Sequence, residues 1–135
     1  MNWRPMSGSK AIGEQMLPKL ISEDALKNRP QIVRELREMI EGNAPRTIEN
    51  ALAAMRDRPD QTATLPSIAV PTLIVVGDAD AITPAAVAEA MHKAIPRSEL
   101  AVIRGAGHMS PMEQPEQVNA AIRKFLPGLT QNPHR

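Results

Sequence analysis

The chain has 135 residues, the length of one domain, and its 16 Lys and Arg against 15 Asp and Glu leave a formal net charge of +1. The basic residues are scattered along the sequence, so no electrostatic surface for nucleic acid is predicted. The chain has no cysteine, which excludes disulfides and thiolate metal sites and fits a reducing compartment.

Membrane association is not predicted either. The longest apolar run, residues 68–76, contains Pro71 and is far shorter than the roughly 20 residues that span a bilayer. The first residues lack the apolar core of a signal peptide. The sequence therefore predicts a cytoplasmic protein whose partners are small molecules or other proteins.

The first half of the chain is predicted to be helical. Residues 1–11 show no periodic pattern and are expected to form a loose N-terminus, followed by a helical region with its linker over 12–66. Apolar residues at helical spacing begin at Ile12, and Pro18 should kink this helix or begin a new one.

The clearest helical pattern covers residues 30–41. Its apolar residues recur at helical spacing, Pro30 suits the first turn, and Gly42 suits the C-terminal end. A second apolar stripe follows Pro45. We expect these two helices to form an αα pair, and we expect a polar linker over 57–67.

The hydrophobic period then changes to that of buried strands. Residues 72–76 form a continuous, β-branched run closed by Gly77, and residues 100–103 form a second apolar run. The helix between them should open with Thr83 as its N-cap and present Val87, Met91 and Ile95 to the core. A last helix is predicted at 116–126.

This order of elements predicts the fold class. Residues 67–126 give an α/β arrangement of strand, helix, strand and helix, in which the strands run parallel, and residues 127–135 form a tail. Two such strands alone leave unpaired edges, which favour association with a second copy or with another chain.

Polar residues follow both strands at the point where each strand ends. In parallel sheets, catalytic groups collect beyond the carboxyl ends of the strands, where Asp78, Asp80 and His108 are placed. A histidine oriented by a carboxylate is the general base of nucleophilic catalysis. The glycines at 105 and 107 allow the loop before His108 to bend sharply.

These motifs resemble the α/β-hydrolase fold superfamily, in its enol-lactonase-like and esterase-like branch. The resemblance rests on PTLIVVGDADAITP from Pro71 and on IPRSELAVIRGAGHMSPMEQPE from Ile95. It implies a partial α/β-hydrolase fold, in which a helical cap-like region over 12–66 precedes the C-terminal β-α-β-α part of the core.

The resemblance also assigns roles to residues. Asp80, at the end of a G-x-x-D turn, matches the triad acid, and His108, in a G-x-G-H loop, matches the triad histidine. Asp78 becomes a turn residue. Apart from the resemblance, methionines are more often core residues than binding residues, but Met109 and Met112 flank the histidine and are alternatively expected to line an acyl pocket.

The nucleophile of the family is missing from this sequence. None of its serines lies in a G-x-S-x-G frame, and no H-G-type oxyanion loop is present. The resemblance implies hydrolysis of an ester or enol-lactone by a Ser-His-Asp mechanism, with the serine on a separate upstream chain or a lost segment. The alternative is a non-catalytic remnant or interaction module that associates, with itself or a partner, through its strand edges.

No cofactor is predicted. A metal site is not predicted either, because His92, His108 and the carboxylates lack a recognisable ligand spacing. His92 is expected on the solvated side of its helix.

Overall fold

The computed structural model of the chain describes residues 8–130. The helical region within this range consists of α1 (Ser9–Leu20), α2 (Glu23–Asn28), α3 (Pro30–Glu41), α4 (Pro45–Asp57) and a 3₁₀ helix (Thr62–Ser67). The strand-containing region consists of β1 (Thr72–Gly77), α5 (Ala85–Ala94), β2 (Ser98–Ile103), α6 (Ser110–Glu113) and α7 (Pro115–Thr130).

The two strands pair in parallel, as predicted. Thr72 lies opposite Ser98 and Gly77 lies opposite Ile103. β1 begins at the predicted residue, whereas β2 begins at Ser98, before the predicted start at residue 100. Because the pairing is parallel and in register, both strands end at the same edge of the sheet.

Helices α5 and α7 cover opposite faces of this sheet. Ile74 and Val76 of β1 pack against Ala88 of α5, whereas Ile103 of β2 packs against Val118 of α7. Alternate residues of a strand point to opposite faces, so the apolar run can fill both interfaces. The predicted burial of the strands on two faces is confirmed at these positions.

The helix between the strands presents Met91 and Ile95 to the core, as predicted, but not Val87. Ala88, which is 6% exposed, faces the sheet, and Val87 is 49% exposed. Neighbouring residues of a helix lie about 100° apart, so an inward Ala88 turns Val87 towards solvent. Thr83 is not the N-cap, since Pro84 holds that position and no side chain caps the helix.

A separate apolar core lies in the helical region, formed by Leu17, Leu20, Ile21, Ala25 and Leu36. α1 continues through Pro18 to Leu20, so no new helix begins at the proline. The Ser22 hydroxyl accepts a hydrogen bond from Ala25 N–H and thereby caps α2.

Helix α3 has the predicted bounds, but it does not pair with α4. α3 packs against α1 and α2, whereas α4 buries none of its residues. The predicted αα pair is therefore wrong. The polar segment 57–67 that follows α4 is partly ordered as the 3₁₀ helix.

Both ends of the described range are more helical than predicted. α1 begins at Ser9, inside the predicted loose segment 1–11, and α7 continues through Pro127 to Thr130, inside the predicted tail 127–135. Residues 1–7 and 131–135 lie outside the described range, so the rest of these two expectations stays a prediction.

Candidate active site

The loops that follow β1 and β2 lie side by side because the strands end together. Asp78 N–H donates to Ile103 O at 3.0 Å, and Ala79 N–H donates to Ala106 O at 2.9 Å. These bonds continue the ladder beyond the strands. The two loops therefore hold a fixed relative position.

Asp78 lies in a turn, as predicted, and its carboxylate also bonds to the loop that follows β2. Its Oδ1 accepts hydrogen bonds from Gly105 N–H at 2.9 Å and from Ala106 N–H at 3.4 Å. Gly105 has φ 67, a conformation that favours glycine, and this produces the sharp bend predicted for the loop. The carboxylate thus joins the acid loop to the loop that carries the histidine.

Asp80 is buried, at 8% exposure, and both of its carboxylate oxygens are satisfied. Oδ1 accepts from Ile82 N–H and Thr83 N–H, each at 2.9 Å. Oδ2 accepts from the Thr83 hydroxyl at 2.9 Å and contacts His108 Nδ1 at 2.9 Å. Four partners therefore hold one carboxylate in a single orientation.

The pKa of Asp80 reflects two opposed influences. Burial is the larger single influence and would raise the pKa, but hydrogen bonds from Thr83 N–H, His108, Ile82 N–H and the Thr83 hydroxyl together outweigh it. The pKa therefore lies below its ordinary value of 3.8. Asp80 is an ionised acceptor at neutral pH.

His108 is oriented by this carboxylate. An ionised carboxylate only accepts hydrogen bonds, so the proton of the neutral imidazole lies on Nδ1, and Nε2 keeps its lone pair. The side chain is 35% exposed, compared with 4% for that of Asp80. This arrangement can take up a proton at Nε2 while Asp80 stabilises the resulting imidazolium.

Thr83 is a site residue that the sequence analysis did not identify as one. Its hydroxyl donates to Asp80 and its Oγ1 lies 3.3 Å from His108 Nδ1, so it contacts both members of the pair. The available signal was the spacing D-x-x-T, since Asp and Thr three residues apart commonly bond to each other's backbone and side chains in turns.

The two methionines beside the histidine have a packing role in this structure. Met109 and Met112 are partly buried against the apolar core of the helical region. Their expected contact with an acyl group stays a prediction. His92 is exposed on α5, as predicted, and its Nδ1 lies 2.8 Å from Ser98 Oγ.

A cavity of about 320 Å³ lies away from the acid and histidine, near the beginning of the strands, and is lined by Pro71, Arg97, Ser98, Glu99, Phe125 and Gly128. Within residues 8–130, no group of three or more His, Cys, Asp or Glu is placed to hold a metal ion. No helix in the described part of the chain is long and apolar enough to cross a membrane.

Comparison with known sequences gives one family and several relatives. The profile of the Ndr family matches residues 1–131. A pimeloyl-[acyl-carrier protein] methyl ester esterase of Neisseria meningitidis is 33% identical over 102 residues, which is 76% of this chain and 32% of that protein. An esterase of the same name from Xanthomonas axonopodis is 30% identical over 97 residues, covering 70% of this chain and 38% of that protein.

Solved structures of an esterase and an enol-lactonase are also similar to this chain. A thermophilic esterase from Thermogutta terrifontis is 42% identical with a TM-score of 0.86, covering 91% of this chain and 45% of that chain. The enol-lactonase from Burkholderia xenovorans LB400 is 21% identical with a TM-score of 0.83, covering 90% of this chain and 46% of that chain, and shows likeness of fold alone. The chain spans less than half the length of these proteins and about a third of the Neisseria esterase.

Proposed function

The chain belongs to the Ndr family, within the α/β-hydrolase superfamily, and from this premise we propose that it carries the acid and the base of a carboxylic ester or lactone hydrolase. Its relatives include esterases, and its structural neighbours include an enol-lactonase. The structural likeness also confirms the predicted fold class, a partial α/β-hydrolase fold.

The observation that carries the proposal is the 2.9 Å contact between His108 Nδ1 and Asp80 Oδ2. In the proposed mechanism, Nε2 of His108 removes the proton from a serine hydroxyl as the serine oxygen attacks the acyl carbon. Asp80 stabilises the imidazolium. His108 then returns the proton to the leaving alkoxide, and in deacylation it activates a water in the same way.

The nucleophile is proposed to lie outside these 135 residues. No serine of the sequence stands in a G-x-S-x-G frame. The serine and the oxyanion donors would then come from another segment or chain placed next to the strand ends. The substrate, a small ester or lactone, would bind between the two parts.

A complementation experiment tests this proposal. The part of the Thermogutta terrifontis esterase that this chain does not match is expected to carry the serine elbow. We would mix that part with the 135-residue chain and measure hydrolysis of p-nitrophenyl butyrate. We expect turnover to require both components. His108→Gln should lower turnover by roughly 10⁴-fold or more, because the general base is lost.

His92→Gln is the matched control, since it removes an exposed histidine from α5. It should leave turnover unchanged. Turnover that survives His108→Gln would contradict the role of that residue. A stable complex of the two components without any turnover would contradict the hydrolase proposal as a whole.

A second candidate function is that of an interaction module. Within the described residues, β1 and β2 pair only with each other, and α4 buries no residue. Val102 of β2 is 45% exposed and Met55 of α4 is 58% exposed. These features favour association with a second copy of the chain, or with a partner that supplies further strands.

A further inference from the structure

Glu113 is a buried carboxylate that the proposed mechanism does not use. It ends the short helix α6 and is only 2% exposed. A buried carboxylate strongly destabilises a fold unless hydrogen bonds replace its lost water. Oε1 accepts from Ser22 N–H at 2.9 Å, and Oε2 accepts from Gly107 N–H at 2.7 Å. Each oxygen therefore has a backbone donor.

The two donors belong to different regions of the protein. Ser22 is the N-cap of α2 in the helical region, whereas Gly107 directly precedes His108 in the loop after β2. Ser22 lies 91 residues before Glu113, whereas Gly107 lies only 6 residues before it. Glu113 therefore joins a distant segment of the chain to a near one. The carboxylate thus forms a bridge from the helical region to the histidine loop.

Two further contacts reinforce this bridge. Met109 N–H donates to Leu20 O at 2.9 Å, so the residue after His108 is also bonded to the helical region. The Arg29 guanidinium donates to the backbone carbonyl of Glu113. Both neighbours of His108 are therefore bonded, Gly107 to Glu113 and Met109 to Leu20 at the corner between α1 and α2.

The backbones also meet directly at this corner. A Cβ on Gly107 would lie 2.7 Å from the carbonyl carbon of Ile21 and 2.7 Å from Ser22 N. Backbone atoms cannot move aside as the end of a flexible side chain can. Glycine is therefore required at 107 for the two backbones to approach this closely.

We propose that Glu113 is a positioning residue, which fixes the imidazole of His108 through the neighbouring Gly107 N–H and couples it to the helical region. This inference rests on the proposed function, in which the orientation of His108 matters for hydrolysis. Both partners of the side chain are donors, so an ionised carboxylate, which only accepts, satisfies both. An amide would place its NH₂ group against one of the two N–H donors.

The test uses the tautomer of His108, read from the ¹⁵N chemical shifts of the imidazole in the labelled 135-residue chain. The sequence has three histidines, and the resonances of His108 are those lost in His108→Gln. In the wild-type chain we expect the Nδ1–H form to dominate. In Glu113→Gln we expect a mixture of tautomers, because the loop no longer holds the ring against Asp80.

Hydrogen exchange provides a second readout on the same sample. We expect the Gly107 amide to exchange roughly 10- to 100-fold faster in Glu113→Gln, as for the loss of a hydrogen bond to a charged group. Glu116→Gln is the matched control, because it removes an exposed carboxylate from the first turn of α7. It should change neither the tautomer nor the exchange rate at Gly107.

A purely structural role would lower the melting temperature of Glu113→Gln and leave the His108 tautomer unchanged, and that result would overturn the proposal. If Glu113→Gln does not fold, Arg29→Met weakens the same bridge from its partly exposed side. A smaller shift towards mixed tautomers is then expected, and an unchanged tautomer would again contradict the proposal.

Neither readout requires turnover of an ester. A complex that does not hydrolyse p-nitrophenyl butyrate, combined with a tautomer that depends on Glu113, would refute the proposed function and leave the positioning role intact. Hydrolysis by the complex, combined with a His108 tautomer that does not change in Glu113→Gln, would refute the positioning role alone.

Discussion

Nδ1 of His108 lies 2.9 Å from Oδ2 of Asp80, although 28 residues separate them in the chain. The parallel pairing of β1 and β2 accounts for this contact. Each residue follows one strand, both strands end at the same edge, and Asp78 ties the two loops together. The geometry of the pair therefore depends on a small number of backbone and carboxylate contacts within the described chain.

The ionisation of Asp80 should make stability depend on pH. Its pKa is lowered in the folded state, so the folded protein binds fewer protons at this group than the unfolded chain. The contribution to stability is complete above the ordinary value of 3.8 and is lost as pH falls through the lower, folded value. Urea unfolding at several pH values between 7 and 3 measures this loss.

Asp80→Asn isolates the contribution of this residue. The variant cannot lose a proton at position 80, so its free energy of unfolding should fall less steeply with decreasing pH than that of the wild type. Glu49→Gln, at an exposed position of α4, is the control and should follow the wild-type curve closely. Parallel curves for the wild type and Asp80→Asn would contradict the prediction.

Thr83 should contribute to the stability of the acid loop through its hydroxyl. Thr83→Val keeps the shape of the side chain but removes the donor to Asp80 Oδ2, so one lone pair of a buried carboxylate loses its partner. We expect unfolding to become easier by about 1 kcal/mol. Urea denaturation of the 135-residue chain measures the difference.

The control for this prediction is Thr83→Ser, which keeps the hydroxyl. It should retain most of the stability that Thr83→Val loses. A loss in Thr83→Ser as large as that in Thr83→Val would contradict a specific role of the hydroxyl. No loss in Thr83→Val would show that the backbone N–H donors of Ile82 and Thr83 suffice to hold Asp80.

The sequence alone was sufficient for features that depend on local pattern. The β-branched run that ends at Gly77 predicts β1, and the Pro30 and Gly42 boundaries predict α3, because hydrophobic period and end signals are properties of neighbouring residues. The parallel order of the elements then placed Asp80 and His108 at one edge of the sheet.

Features that depend on distant contacts could not be predicted in this way. The bond from Glu113 to Ser22 joins residues 91 positions apart, and no local pattern signals it. The apolar stripe of α4 predicts a helix correctly, but it cannot show that none of its residues is buried in the described part of the chain. α6 has only four residues, too few for a periodic pattern.

The unpaired strand edges should make the isolated chain self-associate. Within the described range, each strand leaves one edge without a partner, and unpaired strand edges promote pairing between chains. We expect the sedimentation coefficient of the 135-residue chain to rise with concentration. A monodisperse monomer that melts cooperatively would contradict this prediction.

A lysine on the exposed surface of the sheet should distinguish strand pairing from nonspecific association through exposed apolar surface. Val102→Lys adds a charge to β2, and lysine on strands opposes edge-to-edge association, so the variant should shift towards monomer. Val87→Lys adds the same charge at a position of similar exposure on α5, 49% compared with 45%. An equal shift in both variants would assign the association to exposed apolar surface in general, because the helix provides no strand edge.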